Sequence, residues 1–569
     1  MRYLVLASDY DGTLASQGKV DQSTLEAMDR LLESGRKVLL VTGRELDDLK
    51  SVFPQIDRCE LVVAENGGLL YNPKTQEERP LAEPPNPQFL DELKRRGVPF
   101  SAGHGIVATW EPHQTAVLDA IQQLGLELQV SFNKGAVMVL SSGVNKQTGL
   151  KAALAELCLS AHNVVGIGDA ENDHVFLSAC ECGVAVANAL QSLKERADFV
   201  TQADHGKGVA ELIGEILKDD LYSFDDKLKR HHITLGTRED GEPVRVGAQR
   251  GSLLFAGPSG SGKSTAATGV LEALAEHQYQ FCLIDPEGDY ENFVGAVQFG
   301  SPQSAPDIKQ VMKALEDPKQ NLVVNLLGIS LEDRPLFFAS LFPQMMDLRA
   351  RTARPHWIIV DEAHHLLPSS WVPAATTLPQ SINGIIFITV HPESIAPPAL
   401  EHVETAVAVG KDPAKTLGEL AKALSEPTPD VPERELQTGE GMVWLRSRGE
   451  SPFVAKLCTA KTERRRHLRK YAQGELGPDR SFYFRGPDNK LNLRAQNLEI
   501  FSTIAEGVDD ATWLFHLRNG DYSQWLREAV KDADLAEEIQ TIENEGDSGV
   551  KESRDRVLEA IKRQYTAAA

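Results

Sequence analysis

The chain has no Cys-x-x-Cys pair, and no apolar run approaches the roughly 18 residues that a membrane-crossing helix needs. Its six cysteines are Cys59, Cys158, Cys180, Cys182, Cys282 and Cys458. None has the spacing of a disulfide scaffold, so they read as reduced structural thiols. Basic charge is short: 59 lysines and arginines against 82 acids leave a net charge of −23. That excludes a protein that coats nucleic acid over its whole surface, and leaves room only for local basic patches. Internal repeats and long low-complexity tracts are missing too, which excludes a solenoid. Asp9 and Asp11 arrive too early for the apolar core of a secretion signal, so a cytoplasmic location is expected. What is present is ordinary for a globular chain, 41% hydrophobic and 25% charged over 569 residues. At about 150 residues per domain that length predicts three or four domains.

Patterning divides the chain. Over 1–219, short apolar runs (Tyr3–Ala7, Lys37–Val41, Leu61–Ala64, Val164–Ile167) alternate with helix-like stretches, the rhythm of a parallel sheet covered by helices. Residues 220–250 are polar with turn signals at Asp240-Gly241 and Glu242-Pro243, and read as a connector with a small β-ribbon. The βα rhythm resumes over 251–460 in Ser252–Ala256, Phe281–Ile284, Asn321–Leu326, Trp357–Val360 and Gly384–Thr389. Residues 461–569 read as a mostly helical module. The predicted fold class is therefore α/β for the first two blocks, followed by helices.

The first chemical signal is Leu4-Val5-Leu6-Ala7-Ser8-Asp9-Tyr10-Asp11-Gly12-Thr13. A strand ends in two acids two residues apart, at the sheet edge where open α/β folds place ligands. An Asp there can attack phosphorus, and a second can protonate the leaving alcohol and then activate water. Alone, the segment could equally be a turn or a fragment of a calcium loop. Three more segments raise its weight. Val41-Thr42-Gly43-Arg44 ends the second strand with a hydroxyl, Lys146 opens a helix after Asn145, and Gly166-Ile167-Gly168-Asp169-Ala170-Glu171-Asn172-Asp173 offers further carboxylates for Mg²⁺.

In this order the four motifs resemble the haloacid dehalogenase (HAD) superfamily, in its Cof-type or sucrose-phosphatase-like branch. The resemblance implies Asp9 as nucleophile, Asp11 as general acid/base, and Thr42 and Lys146 as phosphoryl ligands. Asp9, Asp11, Asp169 and Asp173 form the expected oxygen set for Mg²⁺. Related ion-pumping ATPases carry Thr at the second acid, so Asp11 implies a phosphatase. Residues 80–141 resemble the α/β cap of this branch, with Trp110, His113 and Lys134 as candidates to reach substrate, each more simply read as structural or solvated. A phosphorylated small molecule, with sugar phosphates as the family-level expectation, is the implied partner.

The second signal is Gly257-Pro258-Ser259-Gly260-Ser261-Gly262-Lys263-Ser264-Thr265 between a strand and a helix. The spacing fits the phosphate loop G-x-x-x-x-G-K-[ST], so ATP is the expected ligand, with Lys263 on its β and γ phosphates and Ser264 on Mg²⁺. Trp357-Ile358-Ile359-Val360-Asp361-Glu362 is a strand ending in two acids, Asp361 toward Mg²⁺ and Glu362 toward the attacking water. Water activation suits an ATPase and not a kinase. Asp361–His365 and Ile284–Tyr290 resemble HerA/FtsK/VirB4-like ATPases, with Gly384–Thr389 leading to His391 as sensor strand and Gly441–Lys456 as closing hairpin. That resemblance implies a homo-oligomer, commonly a hexameric ring, with an arginine supplied by a neighbour. Arg349, Arg351, Arg354, Arg446 and Arg448 are candidates. His364-His365 has no other ligands at metal spacing, so zinc is rejected.

The last block adds a basic run at Lys461–Lys470 and a predicted helical hairpin around Phe515–Trp525. The expected function is a phosphomonoesterase fused to an ATPase that gates or couples to it. A HerA-like nucleic-acid motor that processes phosphate ends, and a bifunctional kinase–phosphatase, are the competing readings. Nucleic acid is not favoured as partner, and no membrane is expected.

Overall fold

The computed structural model describes residues 1–225, 227–247, 251–258, 260–291, 293–369, 383–458, 460–461, 476, 481–530, 532–545 and 549–565. They form two compact units, Met1–Thr459 and Ala460–Ala569. Among the described residues no helix is long and apolar enough to cross a membrane.

The first unit is built on two large sheets. One has eight strands in the order Phe199–Val200, Cys182–Ala185, Val164–Gly168, Val5–Ser8, Lys37–Val41, Leu61–Ala64, Leu69–Asn72 and Glu77–Pro80. The first six run parallel and the last two turn back as an antiparallel hairpin. Val5–Ser8 lies in the middle because the chain leaves it in one direction and returns on its other side. That makes its carboxyl end a topological switch point, where such sheets open a crevice. The central strands are buried along their length, which explains their unbroken apolar runs.

Between the second and third motifs a smaller antiparallel sheet forms, in the order Ser101–Ala102, Ile106–Trp110, Ala136–Ser141 and Leu128–Asn133. Strand alternation sorts its side chains. Val107 and Val139 pack against Phe89 and Leu93 of helix Pro87–Arg95 and Val117 and Ala120 of helix Gln114–Leu124. Ile106, Met138 and Leu140 cluster separately. Met138 faces the Thr42–Gly43 loop: a side chain at Gly43 would meet the Met138 sulfur at 3.2 Å. The cap thus sits over the switch point.

The second sheet has eleven strands. Seven are parallel, in the order Val403–Ala408, Ser252–Ala256, Ile385–Thr389, Trp357–Val360, Phe281–Asp285, Asn321–Asn325 and Ala296–Phe299. The phosphate-loop strand, the sensor strand and the Asp361 strand are consecutive, so their ends converge. Four antiparallel strands extend the sheet: Glu440–Leu445, Phe453–Leu457, Ile233–Arg238 and Pro243–Val246. The ribbon expected to be a connector is therefore the edge of this sheet, because Phe453–Leu457 leaves its outer backbone groups open for pairing.

The second unit carries helices Leu498–Gly507, Asp510–Asn519, Asp521–Trp525, Ala533–Asn544 and Val550–Tyr565. Gly520, at φ +71°, makes the turn of the expected hairpin. A two-stranded sheet, Phe482–Phe484 with Leu493–Ala495, was not expected there. Its aromatic side chains, Phe482 and Phe484, pack with Phe501, Trp513, Tyr522 and Trp525. Most of the basic run, residues 462–470, lies outside the described residues.

Candidate active site

At the switch point, Val5–Ser8 delivers Asp9, whose backbone N–H donates to the Ile167 carbonyl at 3.0 Å. The chain then turns at Gly12 with φ +82°, and a Cβ there would lie 2.2 Å from an Asp169 carboxylate oxygen. Only glycine permits that approach. The neighbouring strand Val164–Gly168 delivers Asp169. Asp173 folds back so that its Oδ2 accepts the Asp169 and Ala170 N–H groups at 2.8 and 2.9 Å. Asn145 and Thr148 form a reciprocal capping box, which puts Lys146 at the first position of helix Lys146–Glu156. The wholly buried Lys146 Nζ donates to Asp9 Oδ1 at 2.5 Å and Asp173 Oδ1 at 2.6 Å.

Asp9, Asp169 and Asp173 are all buried, and each offers an oxygen within 4.8 Å of the others. Burial pushes the Asp9 carboxyl well above its ordinary value; the Asp173 charge adds to this and Lys146 opposes it. Asp169 is also raised, by burial first, with Lys134 opposing. Burial works against the Lys146 ammonium, but Asp173 and Asp9 outweigh it and raise its pKa. Three hard oxygen donors in so small a space are the donor set that Mg²⁺ takes, so the residues fit that ion.

The structure does not bring the Asp11 carboxylate into this group. Its oxygens accept Arg44 Nε and Nη2 at 2.6 and 2.7 Å. Arg44 belongs to the same short motif as Thr42, and its fork matches a carboxylate. Thr42 is buried beside it and its Oγ1 accepts the Arg44 N–H at 3.2 Å. Lys134, at the tip of the cap hairpin, bonds to Asp169. Asn172 donates to Asn66 Oδ1 at 3.1 Å, and Asn188 donates to the Gly12 carbonyl at 2.7 Å. Arg44, Asn66 and Asn188 were not foreseen as site residues. Trp110 and His113 stand where the cap strand pairs beside the Lys134 turn, edge to face at 6.2 Å.

In the second domain, Gly257 (φ +149°), Gly260 (+77°) and Gly262 (+95°) shape the loop before helix Lys263–Glu276. A Cβ on Gly257 would strike the Val409 carbonyl at 2.1 Å. Ser259 lies outside the described residues. Ser264 and Thr265 open the helix, where N–H groups lack helical partners. Lys263 donates to the Pro258 carbonyl at 2.9 Å, and the buried Ser261 hydroxyl has no partner among the described residues. Both observations suit a loop shaped for an anion.

Asp361 ends its strand, buried, and its Oδ1 accepts the Glu362 N–H at 3.0 Å. Glu362 is held in the left-handed region (φ 43°, ψ 49°), a conformation that costs a non-glycine residue about 1–3 kcal/mol. His364 Nδ1 lies 3.5 Å from Glu362 Oε2 and 3.1 Å from Thr389 Oγ1, joining the Asp361 strand to the sensor strand. Burial, then the neighbouring His365 and His391, lower the His364 pKa to about 4. Three of the candidate arginines already serve the fold. Arg349 donates to the Pro355 and Asn383 carbonyls, Arg354 is wholly buried, and Arg446 is paired with Glu426.

Comparison with known proteins agrees with the two-site architecture. The family model of haloacid dehalogenase-like hydrolases matches residues 6–123 and 114–213, and that of an AAA domain matches 246–390. A phosphoglycolate phosphatase of Methanothermobacter thermautotrophicus is 34% identical over 219 residues, 37% of this chain and 96% of that protein. The chain belongs to the haloacid dehalogenase-like hydrolases. Phosphoglycolate phosphatase 2 of Saccharolobus solfataricus is 29% identical over 219 residues, 38% of this chain and 92% of its own. A solved haloacid dehalogenase-like hydrolase from Bacteroides thetaiotaomicron covers 38% of this chain and 99% of its own, at 18% identity and a TM-score of 0.34. The chain is thus a HAD-type phosphatase fused to an AAA-type P-loop domain.

The lowered pKa of His364 gives a pH test. In the unfolded chain this group takes its proton near pH 6.5, in the folded chain near 4. Its neutral form therefore contributes stability above pH 6.5 that is lost as pH falls toward 4. Urea unfolding at pH 7 and pH 5 should show a smaller acid-induced loss in His364→Gln than in the parent protein. An equal loss would show that His364 does not titrate in this way.

Proposed function

We propose that the chain hydrolyses a small phosphomonoester at Asp9 in a Mg²⁺-dependent reaction, and that ATP turnover in the AAA domain regulates it. The reading is carried by Lys146, a buried ammonium shared by Asp9 and Asp173 at the mouth of the switch point. The phosphatase site is assigned to residues 1–219 with the cap at 80–141, and the ATPase to 251–460. Asp9 attacks phosphorus and carries the phosphoryl group as an acyl phosphate. Asp11 protonates the leaving oxygen and then takes a proton from the water that hydrolyses the intermediate. Arg44 holds Asp11 by two bonds, so substrate entry has to draw the carboxylate out of that fork. Thr42 and Lys146 hold the phosphoryl oxygens. Asp9, Asp169 and Asp173 would hold Mg²⁺, which when bound would supply positive charge against the transferring group. The similar archaeal proteins make phosphoglycolate the first substrate to test, ahead of sugar phosphates.

In the AAA domain, Lys263 and the loop N–H groups hold the ATP phosphates, Ser264 and Asp361 its Mg²⁺, and Glu362 accepts the proton of the attacking water. The narrower kinship with HerA/FtsK/VirB4-like ATPases, and a ring of copies, belong to this proposal as well. It is supported by the paired acids Asp361-Glu362 and the hairpin Glu440–Leu445/Phe453–Leu457.

Regulation is supported by the seam between the two sheets. His162 stands just before the Asp169 strand, and its Nε2 donates to the His277 carbonyl at 2.7 Å. His277 ends the phosphate-loop helix. Nδ1 of the same ring lies 2.7 Å from Glu181 Oε2. Tyr279 stacks on His162 at 3.8 Å and donates to Glu181 at 3.0 Å. His356, which opens the Asp361 strand, meets the His162 ring edge to face at 5.5 Å. Arg354 donates to the Cys158 carbonyl at 2.7 Å. One cluster therefore touches the roots of the elements that carry Asp169 on one side and Lys263 and Asp361 on the other.

Three outcomes are expected. Asp9→Asn keeps the side chain's size and removes the attacking charge, so phosphomonoester turnover falls by about three orders of magnitude or more while ATP hydrolysis persists; near-normal turnover would refute the acyl-phosphate route. Glu362→Gln slows ATP hydrolysis by about 10²–10⁴-fold with little change in ATP affinity, read by steady-state assay and equilibrium binding. Saturating ATP changes phosphatase kcat/KM, and His162→Phe, which keeps the ring and loses the His277 bond, brings that ratio toward one. Whatever part of that change lies in substrate binding is reciprocal, so substrate shifts ATP affinity by the same factor as ATP shifts substrate affinity. A phosphatase indifferent to ATP in the parent protein would end the regulatory reading.

A further inference from the structure

We propose that Lys134 selects phosphomonoesters whose alcohol portion carries a carboxylate. This rests on the phosphatase reading of the Asp9 site and adds to it the chemistry of the leaving group.

Lys134 is placed by the cap's register. Asn133 pairs with Ala136, leaving Lys134 and Gly135 as a two-residue turn with φ of 48° and 86°. Two positive φ values are what a tight hairpin of this kind requires, and glycine at the second position accepts one readily. The hairpin thereby fixes where the lysine stem starts. Its ammonium bonds to Asp169 and lies 2.7 Å from where a Cβ on Gly12 would be. Asp169 is wholly buried, whereas the Lys134 side chain is 47% exposed, so the lysine lies across the entrance and not in the core. Among the described residues it is the cap's ion-pair partner to the three-carboxylate group.

In-line displacement settles which part of a substrate faces it. The phosphorus must meet Asp9 at the sheet edge, and the ester oxygen must leave on the opposite side. The alcohol therefore extends away from the sheet and toward the cap. There it meets the Lys134 ammonium, which lies across the entrance. A divalent cation held by the Asp169 oxygens would repel the ammonium and leave it free of them. Its four-carbon stem lets it swing to another anion nearby. A carboxylate a carbon or two from the ester oxygen fits that need. An uncharged alcohol leaves the ammonium facing only water.

The test compares phosphoglycolate with ethyl phosphate, which has the same two carbons and no carboxylate, in the full-length parent, Lys134→Met and Lys134→Arg. The parent should prefer phosphoglycolate. In Lys134→Met the ratio of the two kcat/KM values should fall by about 10- to 100-fold, mostly through KM, and Lys134→Arg should restore part of it. Calorimetry provides a readout without turnover: 3-phosphonopropionate, the non-hydrolysable counterpart, should lose affinity for Lys134→Met relative to propylphosphonate. A ratio unchanged in Lys134→Met, or a parent with no preference, would overturn the assignment. If neither ester is hydrolysed by the parent while the phosphonate pair still discriminates the variant, the phosphatase reading fails and the carboxylate-binding role of Lys134 stands.

Discussion

The Lys146 ammonium, buried and bonded to both Asp9 and Asp173, is what lets three carboxylates gather at the end of a parallel sheet. Burial and Coulomb repulsion between acids this close work against their shared ionisation, and the ammonium opposes both. The rest of the local structure serves that arrangement. Asn145 caps the helix so that Lys146 starts it, Gly12 gives up its side chain so that Asp169 can approach, and two backbone N–H groups fix Asp173. The cap then adds a second ammonium from outside.

The AAA domain solves the opposite problem. There the ligand brings the negative charge, and the protein provides a loop of N–H groups and a lysine turned back on the loop's own carbonyl. The two chemistries face away from a common seam of aromatic and imidazole rings at the feet of both sheets. Packed interiors of this kind transmit small displacements because they have few alternative arrangements. Glu181, buried in the seam, is held below its usual range: burial alone would raise it, but His162 and Arg2 outweigh that.

Much of this was legible in the sequence because strand ends carry the chemistry. Asp9, Thr42, Asp169, Asp361 and Thr389 each follow an apolar run that ends where the chain leaves the sheet. Parallel pairing then brings residues distant in sequence side by side. What could not be read is whatever depends on a side chain's aim. Lys134 was one of three cap candidates to reach substrate, and which of them lies at the carboxylates depends on how the cap packs. Arg44 lay inside a recognised motif, yet its fork on Asp11 removes that acid from the expected metal set. The ribbon at 233–246 reads as a connector from composition, since pairing with the edge strand Phe453–Leu457 leaves no local mark. Strand Ala296–Phe299 is half-exposed, so it lacked the apolar run that marked the others.

The backbone at Glu362 has a consequence for how this protein would respond to selection. Its left-handed conformation suits glycine and penalises every residue with a side chain, so the position sets conformational ease against chemical need. Replacing Glu362 by glycine would relieve the strain and discard the carboxylate. A library screened only for heat resistance would be drawn to that substitution and, given the water-activating role proposed for Glu362, would enrich inactive ATPases. Directed evolution of this chain would therefore have to screen turnover alongside survival, because at this residue improvement in one is loss in the other.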